Sequence, residues 1–191
     1  MITDLTTIGK YKPFDELTRS ALNHAAAEQL LEPPSPEVAD ALMQSYDALN
    51  VFPDVPAALE MLRSDITVDT YVFSNGTSTM VGNSIRSSPD LAPHAAHFRG
   101  LVTVDDVRCY KPHRRVYEHL VEETGVKGGE DSVWVVSSNP FDVVGARAAG
   151  LNAVFVDRSD KGWTDRLDEA WVPTIVATGL DRAVRSILDR L

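Results

Sequence analysis

Short apolar runs rich in β-branched residues alternate with helical stretches through most of the chain after residue 66. The runs cover residues 67–73, 101–104, 133–136, 153–156 and 174–177. Strands that are apolar on both faces and separated by helices are typical of a parallel sheet with helices packed on each side. The sequence therefore predicts an α/β fold, in which the loops that follow the strands meet at the carboxyl edge of the sheet.

The first 50 residues follow a different pattern. Residues 14–31 have the apolar spacing of an amphipathic helix, and the proline-rich stretch 32–36 interrupts it. Ser35 is a candidate N-cap for a second helix, with Pro36 at its first position. We therefore expect a helical segment over residues 1–50 and an α/β core over residues 51–191.

Composition narrows the kind of partner to expect. The 191 residues carry a formal net charge of -10 and a single cysteine, Cys109. An acidic protein lacks the basic surface that nucleic acids and anionic membranes require, so neither is expected as a partner. One cysteine forms no internal disulfide, and no segment has a signal-peptide or membrane-spanning pattern. These features predict a soluble, cytoplasmic protein, and they leave an anionic small molecule open as its partner.

A polar loop follows the first predicted strand. Ser74 and Asn75 supply a hydroxyl and an amide, and the glycine after them gives a permissive backbone. Such a loop can donate hydrogen bonds to an anionic oxygen without itself ionising. The alternative is a turn in which Ser74 or Asn75 only caps the next helix.

A second polar loop, residues 137–142, is the most specific signal in the chain. Ser137 and Asn139 end a buried strand, Phe141 follows, and Asp142 opens a helix. The alternative for Asp142 is a helix-start residue that the helix dipole favours. The small residues 145–146 permit close packing of this helix on the sheet.

A lysine stands between these two loops in sequence. Lys111 precedes Pro112, and Tyr117 comes six residues after the lysine. An ammonium at this place can hold a carboxylate or a phosphate as a compact charge, although an isolated lysine is usually a solvated surface residue.

Asp105 and Asp106 are a possible acid/base pair, for which a polar turn is the favoured alternative. The histidines lack the supporting ligands of a zinc site.

In this order the three motifs resemble the later catalytic motifs of the haloacid dehalogenase superfamily, most closely its 2-haloacid dehalogenase branch. The resemblance runs from about residue 10 to the C-terminus. It implies a Rossmann-like parallel sheet flanked by helices, with a remnant of a helical cap at the N-terminus. It also implies that Lys111 and Tyr117 serve the active site, that Phe141 lies against the substrate, and that Phe14 lies near the pocket.

The serine–asparagine form of the last motif bears on metal binding. In the phosphatase branches of the superfamily this place carries extra carboxylates that hold magnesium, whereas Asp142 is the only carboxylate here. Magnesium is usually held by one or two carboxylates together with phosphate oxygens of the substrate. The resemblance therefore implies a metal-independent site, and no cofactor is expected.

The motif that opens the family, a strand ending in a nucleophilic aspartate within Asp-x-x-Gly-Thr, is not found before Ser74. Asp4 and Asp15 are the early aspartates, and neither follows an apolar strand. We therefore expect a chain that begins inside the cap, without the family's central first strand. Residues 1–8, an altered strand order or a partner chain would then fill the sheet, and a homodimer is the preferred expectation.

Three functions fit these expectations. The first is a repurposed, non-hydrolytic enzyme that dehydrates, isomerises or cyclises a small organic anion. In it the catalytic residues are Lys111, Asp142 and Ser74, and the residues that bind substrate are Asn75, Tyr117, Ser137, Asn139, Phe141 and Phe14. The second is an inactive binding or regulatory protein. The third is a truncated (S)-2-haloacid dehalogenase, which is a hydrolase.

Overall fold

The computed structural model describes residues 9–126, 128–166 and 168–191, without the side chain of Ala48. Its contacts divide the chain into two compact units. Unit 1 comprises Met1–Val51 and Tyr71–Tyr110, and unit 2 comprises Phe52–Thr70 and Lys111–Leu191. The boundaries of these units differ from those of the predicted segments 1–50 and 51–191. The assignment of the two segments as a cap remnant and a core stays a prediction. Residues 1–8, one predicted filler of the sheet, lie outside the described residues.

Unit 1 carries the N-terminal helices and a two-stranded sheet. Its elements are α1 (Phe14–Glu28), α2 (Pro36–Gln44), a 3₁₀ turn (Ser45–Ala48), β1 (Thr70–Ser74, whose first residue belongs to unit 2), α4 (Ser78–Ser87), a 3₁₀ turn (Ala92–His97) and β2 (Phe98–Thr103), with β1 hydrogen-bonded to β2. Ser35 caps α2 as predicted, because its hydroxyl accepts from the backbone N–H of Val38 at 3.4 Å.

Unit 2 is a three-stranded sheet with helices. Its elements are α3 (Val55–Ser64), α5 (Arg114–Thr124), β3 (Trp134–Ser137), α6 (Pro140–Ala148), β4 (Asn152–Val156), β5 (Ile175–Ala177) and α7 (Leu180–Leu188), with short 3₁₀ turns at Glu130–Ser132 and Glu169–Trp171. Helix α5 begins at a cap from His113, whose Nδ1 accepts from the N–H of Arg115. It ends at Gly125, where φ is +71° and a left-handed residue closes the helix.

The sheet of unit 2 is parallel, in the order β3–β4–β5. The register places Val135 beside Ala153, and Phe155 beside Val176. One apolar cluster on this sheet consists of Val154, Val156, Ala177, Ala183 and Ile187, with Trp134, Val136 and Ile175 packed against it. The predicted α/β fold with a parallel sheet flanked by helices is confirmed. The prediction holds because unbroken apolar strands are stable only when both of their faces are covered.

Within the described residues, β3 is an outer strand of its sheet, hydrogen-bonded to β4 on one side. Loop 137–142 follows β3 directly and leads into α6. The carboxyl end of β3 therefore holds the polar residues from which the candidate site is built. No helix in the described part of the chain is long and apolar enough to cross a membrane.

Candidate active site

A buried ion pair lies at the centre of the candidate site. The Nζ of Lys111 is 3.0 Å from Oδ1 of Asp142, and the two side chains are only 7% and 6% exposed. Lys111 lies three residues before α5, and Asp142 is the third residue of α6. Lys111 is therefore a buried, paired lysine and not a solvated surface residue. Each charge compensates the other, since neither has bulk water to do so.

The loop between β3 and α6 folds around the Asp142 carboxylate. Ser137 Oγ donates a hydrogen bond to Oδ2 of Asp142 at 2.7 Å. The Ser137 hydroxyl oxygen in turn accepts a hydrogen bond from the backbone N–H of Asn139 at 3.0 Å. The N–H of Asp142 donates to the carbonyl of Asn139 at 3.1 Å. Asp142 is thus a first-turn residue that the helix dipole favours and also the partner of Lys111.

Tyr117 approaches the same aspartate from α5. Its ring is fully buried, and its hydroxyl donates to the backbone carbonyl of Asp142 at 3.3 Å. Burial, and then the negative charge of Asp142, raise the pKa of the Tyr117 phenol well above its usual range, so the phenol stays protonated at neutral pH. Its predicted contact with substrate stays a prediction.

Two predicted substrate-binding residues of this loop face outward. The side chain of Phe141 is 42% exposed, and Asn139 is also exposed. The structure thus places a buried charged cluster behind an exposed amide and an exposed aromatic ring. The exposed groups are free to cover a ligand, whereas the buried groups are fixed by their partners.

The predicted donors of unit 1 lie in the turn after β1. Ser74 Oγ accepts from the N–H of Gly76 at 2.9 Å, and both Ser74 and Asn75 are half-buried. The cap of α4 is Thr77, whose hydroxyl accepts from the N–H of Met80 at 3.2 Å. The alternative in which Ser74 or Asn75 caps that helix does not hold. A threonine before a helical stretch is the sequence signal that identifies the cap.

Phe14 begins α1 in unit 1, where its ring meets that of Tyr46 edge to face at 6.4 Å. This packing fixes the orientation of the ring. Its predicted role near the substrate pocket stays a prediction.

Unit 1 holds one polar cluster that the sequence pattern does not identify. The hydroxyl of Tyr11 donates to Oδ1 of Asp105, and Arg108 lies over the Tyr11 ring at 5.3 Å. Burial, and then the hydrogen bond to Asp105, raise the pKa of Tyr11. A cavity of about 490 Å³ adjoins them, lined by Tyr11, Pro13, Asp15, Glu16, Thr77, Thr79, Met80, Asp105 and Arg108. Asp105 lies in a turn, as the favoured alternative has it, and it accepts a hydrogen bond from Tyr11.

Within the part of the chain that is described, no three His, Cys, Asp or Glu side chains come together as metal ligands would. The assignment of a metal-independent site stays a prediction, argued from the serine and asparagine of loop 137–142.

Comparison with known proteins identifies the scaffold. The sequence pattern of haloacid dehalogenase-like hydrolases matches residues 3–150. Haloacetate dehalogenase H-2 of Moraxella sp. (strain B) is 32% identical over 151 residues, which cover 79% of this chain and 64% of the relative. (S)-2-haloacid dehalogenase 1 of Pseudomonas sp. (strain CBS-3) is 32% identical over 157 residues, covering 82% and 65%. The chain thus spans less than two thirds of the length of these curated relatives.

Solved structures of a haloacid dehalogenase have the same fold as this chain. L-2-haloacid dehalogenase from Xanthobacter autotrophicus superposes with a TM-score of 0.84 at 25% identity, covering 100% of this chain and 82% of that one. The same enzyme with chloropropionic acid covalently bound gives a TM-score of 0.83 at 25% identity, covering 99% and 81%.

These relatives overturn one prediction. The expected non-hydrolytic lyase or isomerase is wrong, because the matching family is one of hydrolases and the relatives are named as haloacid dehalogenases. This 191-residue chain belongs to the haloacid dehalogenase-like hydrolase family.

Proposed function

We propose that this chain serves the hydrolytic dehalogenation of a short 2-haloacid. The observation that carries the proposal is the buried Lys111–Asp142–Ser137 cluster at the carboxyl end of β3, in a chain whose relatives are haloacid dehalogenases. The net reaction exchanges the halogen on C2 for a hydroxyl: the C–X bond breaks, water supplies the hydroxyl, and halide and a proton leave.

In this proposal the substrate is an anion, which sets the task of Lys111. An ammonium held at a fixed position by Asp142 attracts the carboxylate of the 2-haloacid or the departing halide. Asn139 and Phe141 are exposed on loop 137–142. The Asn139 amide can donate a hydrogen bond to the substrate, and the Phe141 ring can cover its alkyl part. Ser74 and Asn75 are proposed as further donors to substrate from the turn after β1.

The displacement itself needs a nucleophile. In the family, to which the resemblance points, an aspartate in Asp-x-x-Gly-Thr attacks C2, expels halide and forms an ester that water then hydrolyses. The 191 residues do not contain Asp-x-x-Gly-Thr. We propose that a segment with this motif supplies the attacking carboxylate and the central strand, and that this chain supplies the residues that orient the substrate.

The test compares two polypeptides: the 191-residue chain, and the same chain preceded by the N-terminal segment of a haloacid dehalogenase that carries Asp-x-x-Gly-Thr. We expect the extended chain to release chloride from (S)-2-chloropropionate and the 191-residue chain to release none. A phosphomonoester should not be hydrolysed by either. Chloride release by the 191-residue chain would refute the need for the added carboxylate.

Matched lysine variants test the role of the cluster. In the extended chain, Lys111→Met should lower chloride release at least about 100-fold, because removal of one stabilising group of this kind typically lowers kcat by two to three orders of magnitude. Lys161→Met changes an exposed lysine of the same unit and should leave the rate unchanged. Equal rates for both variants would refute the role of Lys111. An extended chain that folds and is inactive on every 2-haloacid would favour an inactive binding protein.

We further propose a metal-independent, cytoplasmic homodimer. Supporting the dimer, unit 1 exposes large apolar side chains, with Leu30 at 95%, Leu31 at 64% and Leu49 at 50%. Apolar surface of this kind is often covered by a partner. Sedimentation equilibrium at micromolar concentration tests the dimer, and a mass equal to one chain would refute it. Chloride release that a chelator abolishes would refute metal independence.

A further inference from the structure

We infer that Gly145 is a positioning residue: its missing side chain lets Tyr117 reach the carbonyl of Asp142 and so fixes the Asp142 carboxylate between Lys111 and Ser137. The steric part of this inference stands by itself. Its consequence for catalysis rests on the proposed function.

The space beside Gly145 is already filled. A Cβ built on Gly145 would lie 2.5 Å from Cε2 of Tyr117 and closer still to Cζ and the hydroxyl oxygen. Real Cβ atoms essentially never come within about 3.0 Å of another non-bonded heavy atom, so one of the two groups must move. The Tyr117 ring is fully buried, and Gly145 is buried as well. A close-packed interior offers no neighbouring void into which the ring can shift.

The contact is coupled to the candidate site through the backbone. Gly145 lies three residues after Asp142 in α6, so the two positions share one face of the helix. Tyr117 crosses that face, and its hydroxyl donates to the Asp142 carbonyl at 3.3 Å. Displacing the ring therefore removes a hydrogen bond from the residue whose carboxylate holds Lys111 at 3.0 Å.

The direction of the effect separates this inference from a general helix effect. Glycine is a poor residue for a helix interior and alanine is the best, so Gly→Ala at an unconstrained position raises Tm. At Gly145 the added methyl meets the far end of the Tyr117 ring. Gly145→Ala should therefore lower Tm, by about 3–10 °C if the strain resembles other overpacked cores.

Two substitutions at the partner position make the argument testable. Tyr117→Phe removes only the hydroxyl, so Cε2 and Cζ still meet the added methyl and Gly145→Ala should remain destabilising. Tyr117→Leu removes all three atoms that the methyl would meet. In the Tyr117→Leu background, Gly145→Ala should therefore leave Tm unchanged or raise it by a few degrees.

Gly82 provides the matched control. It is also a buried glycine inside a helix, α4, but a Cβ there would meet only the flexible guanidinium of Arg86, at 3.0–3.4 Å. Gly82→Ala should raise Tm or leave it unchanged in every background.

The experiment is a thermal-unfolding cycle over Gly145→Ala, Tyr117→Phe, Tyr117→Leu and their pairs, performed on the 191-residue chain. A lower Tm for Gly145→Ala that is relieved only by Tyr117→Leu is the expected result. A rise in Tm like that of Gly82→Ala, or an equal Tm change in all three Tyr117 backgrounds, would overturn the inference. This readout does not need activity, so it decides the steric part even if no dehalogenation is found.

Kinetics on the extended chain test the positioning part. Gly145→Ala and Tyr117→Phe, assayed below their melting temperatures, should lower kcat about 10- to 100-fold, because a misplacement of about 1 Å has effects of this size. KM should change less than about threefold, since Tyr117 is fully buried and Gly145 has no side chain with which to bind substrate. A change confined to KM, or full activity in Gly145→Ala, would refute the positioning role.

Discussion

Lys111→Met is the perturbation whose magnitude the structure defines best. The substitution keeps most of the aliphatic stem and removes only the ammonium. What remains is the carboxylate of Asp142, with 6% of its side chain exposed and its charge partner at 3.0 Å deleted. A buried charge left without its partner typically lowers the free energy of unfolding by about 3–5 kcal/mol. The hydrogen bond from Ser137 is charge-assisted and offsets only a part of this loss.

A double-mutant cycle isolates the pair. Asp142→Asn removes the negative charge beside the buried Lys111 ammonium, so it should also be strongly destabilising. In Lys111→Met/Asp142→Asn both charges of this pair are gone. The double variant should therefore lose less than the sum of the single losses, by at least about 2 kcal/mol.

The assay is equilibrium unfolding in urea at pH 7, followed by tryptophan fluorescence and far-UV circular dichroism, with coincident transitions required. Arg114→Met provides the control, because the Arg114–Glu118 pair has side chains that are 76% and 51% exposed. Exposed pairs of this kind contribute about 0–1 kcal/mol. If Lys111→Met lowers the free energy of unfolding no more than Arg114→Met, or if the cycle is additive, the buried pair does not hold the site together.

Two further predictions concern stability. Hydrogen bonds from Arg158, and then from the N–H of Leu180, lower the pKa of Asp54 to about 2 from 3.8. Because the folded-state pKa is depressed, the stabilisation of about 2 kcal/mol is present above pH 3.8 and is lost as the pH falls through 2. Asp54→Asn should therefore lose less stability to urea between pH 6 and pH 2 than the parent does, and an equal loss would contradict the assignment. Thr77→Ala should lower the free energy of unfolding by about 1 kcal/mol through the lost cap of α4, whereas Ser74→Ala should leave that helix intact by circular dichroism.

The sequence predicts the strands of the unit 2 sheet and the main loop of the site, for a physical reason. The strands of unit 1 are predicted less well: runs 67–73 and 101–104 stand against Thr70–Ser74 and Phe98–Thr103. A strand buried on both faces must be apolar along its whole length, so residues 133–136 and 153–156 identify β3 and β4 to within a residue. The polar residues 137–142 can then only follow the strand. Local chemistry suffices at each of these steps.

Partners across the fold are beyond such reasoning. Lys111 and Asp142 are each recognisable, but their pairing depends on how α5 packs beside α6, which no local pattern specifies. The same holds for Tyr117 and Gly145: a small residue in a helix predicts close packing and does not identify the side chain that fills the space. The hydrogen bond from the hydroxyl of Tyr11 to Asp105 joins residues 94 positions apart, and no local pattern predicts that the two meet.

The wrong prediction of reaction class has a related cause. It gives more weight to a motif that the 191 residues lack than to the motifs that they contain. The cluster in unit 2 shows why the present motifs are informative. Lys111 and loop 137–142, both present in the sequence, come together there, and the family that matches the chain is one of hydrolases.

The bonds of the cluster define what it is able to do. Asp142 has one carboxylate oxygen beside the Lys111 ammonium and the other bonded to Ser137, so it is poorly placed to attack carbon. Ser137 donates a hydrogen bond to Asp142 and accepts one from the Asn139 N–H. The carboxylate that faces its hydroxyl is already paired with the Lys111 ammonium, so it is a weak base for activating the serine. The Lys111 ammonium has no lone pair with which to attack carbon, so it attracts anions and is not a nucleophile. Each candidate within the cluster is thus excluded as the attacking group, while the ammonium keeps the charge that an anionic substrate needs. In the proposed dehalogenation, therefore, the attacking carboxylate lies outside this cluster, and the division between a group that attacks and groups that orient follows from the hydrogen bonds themselves.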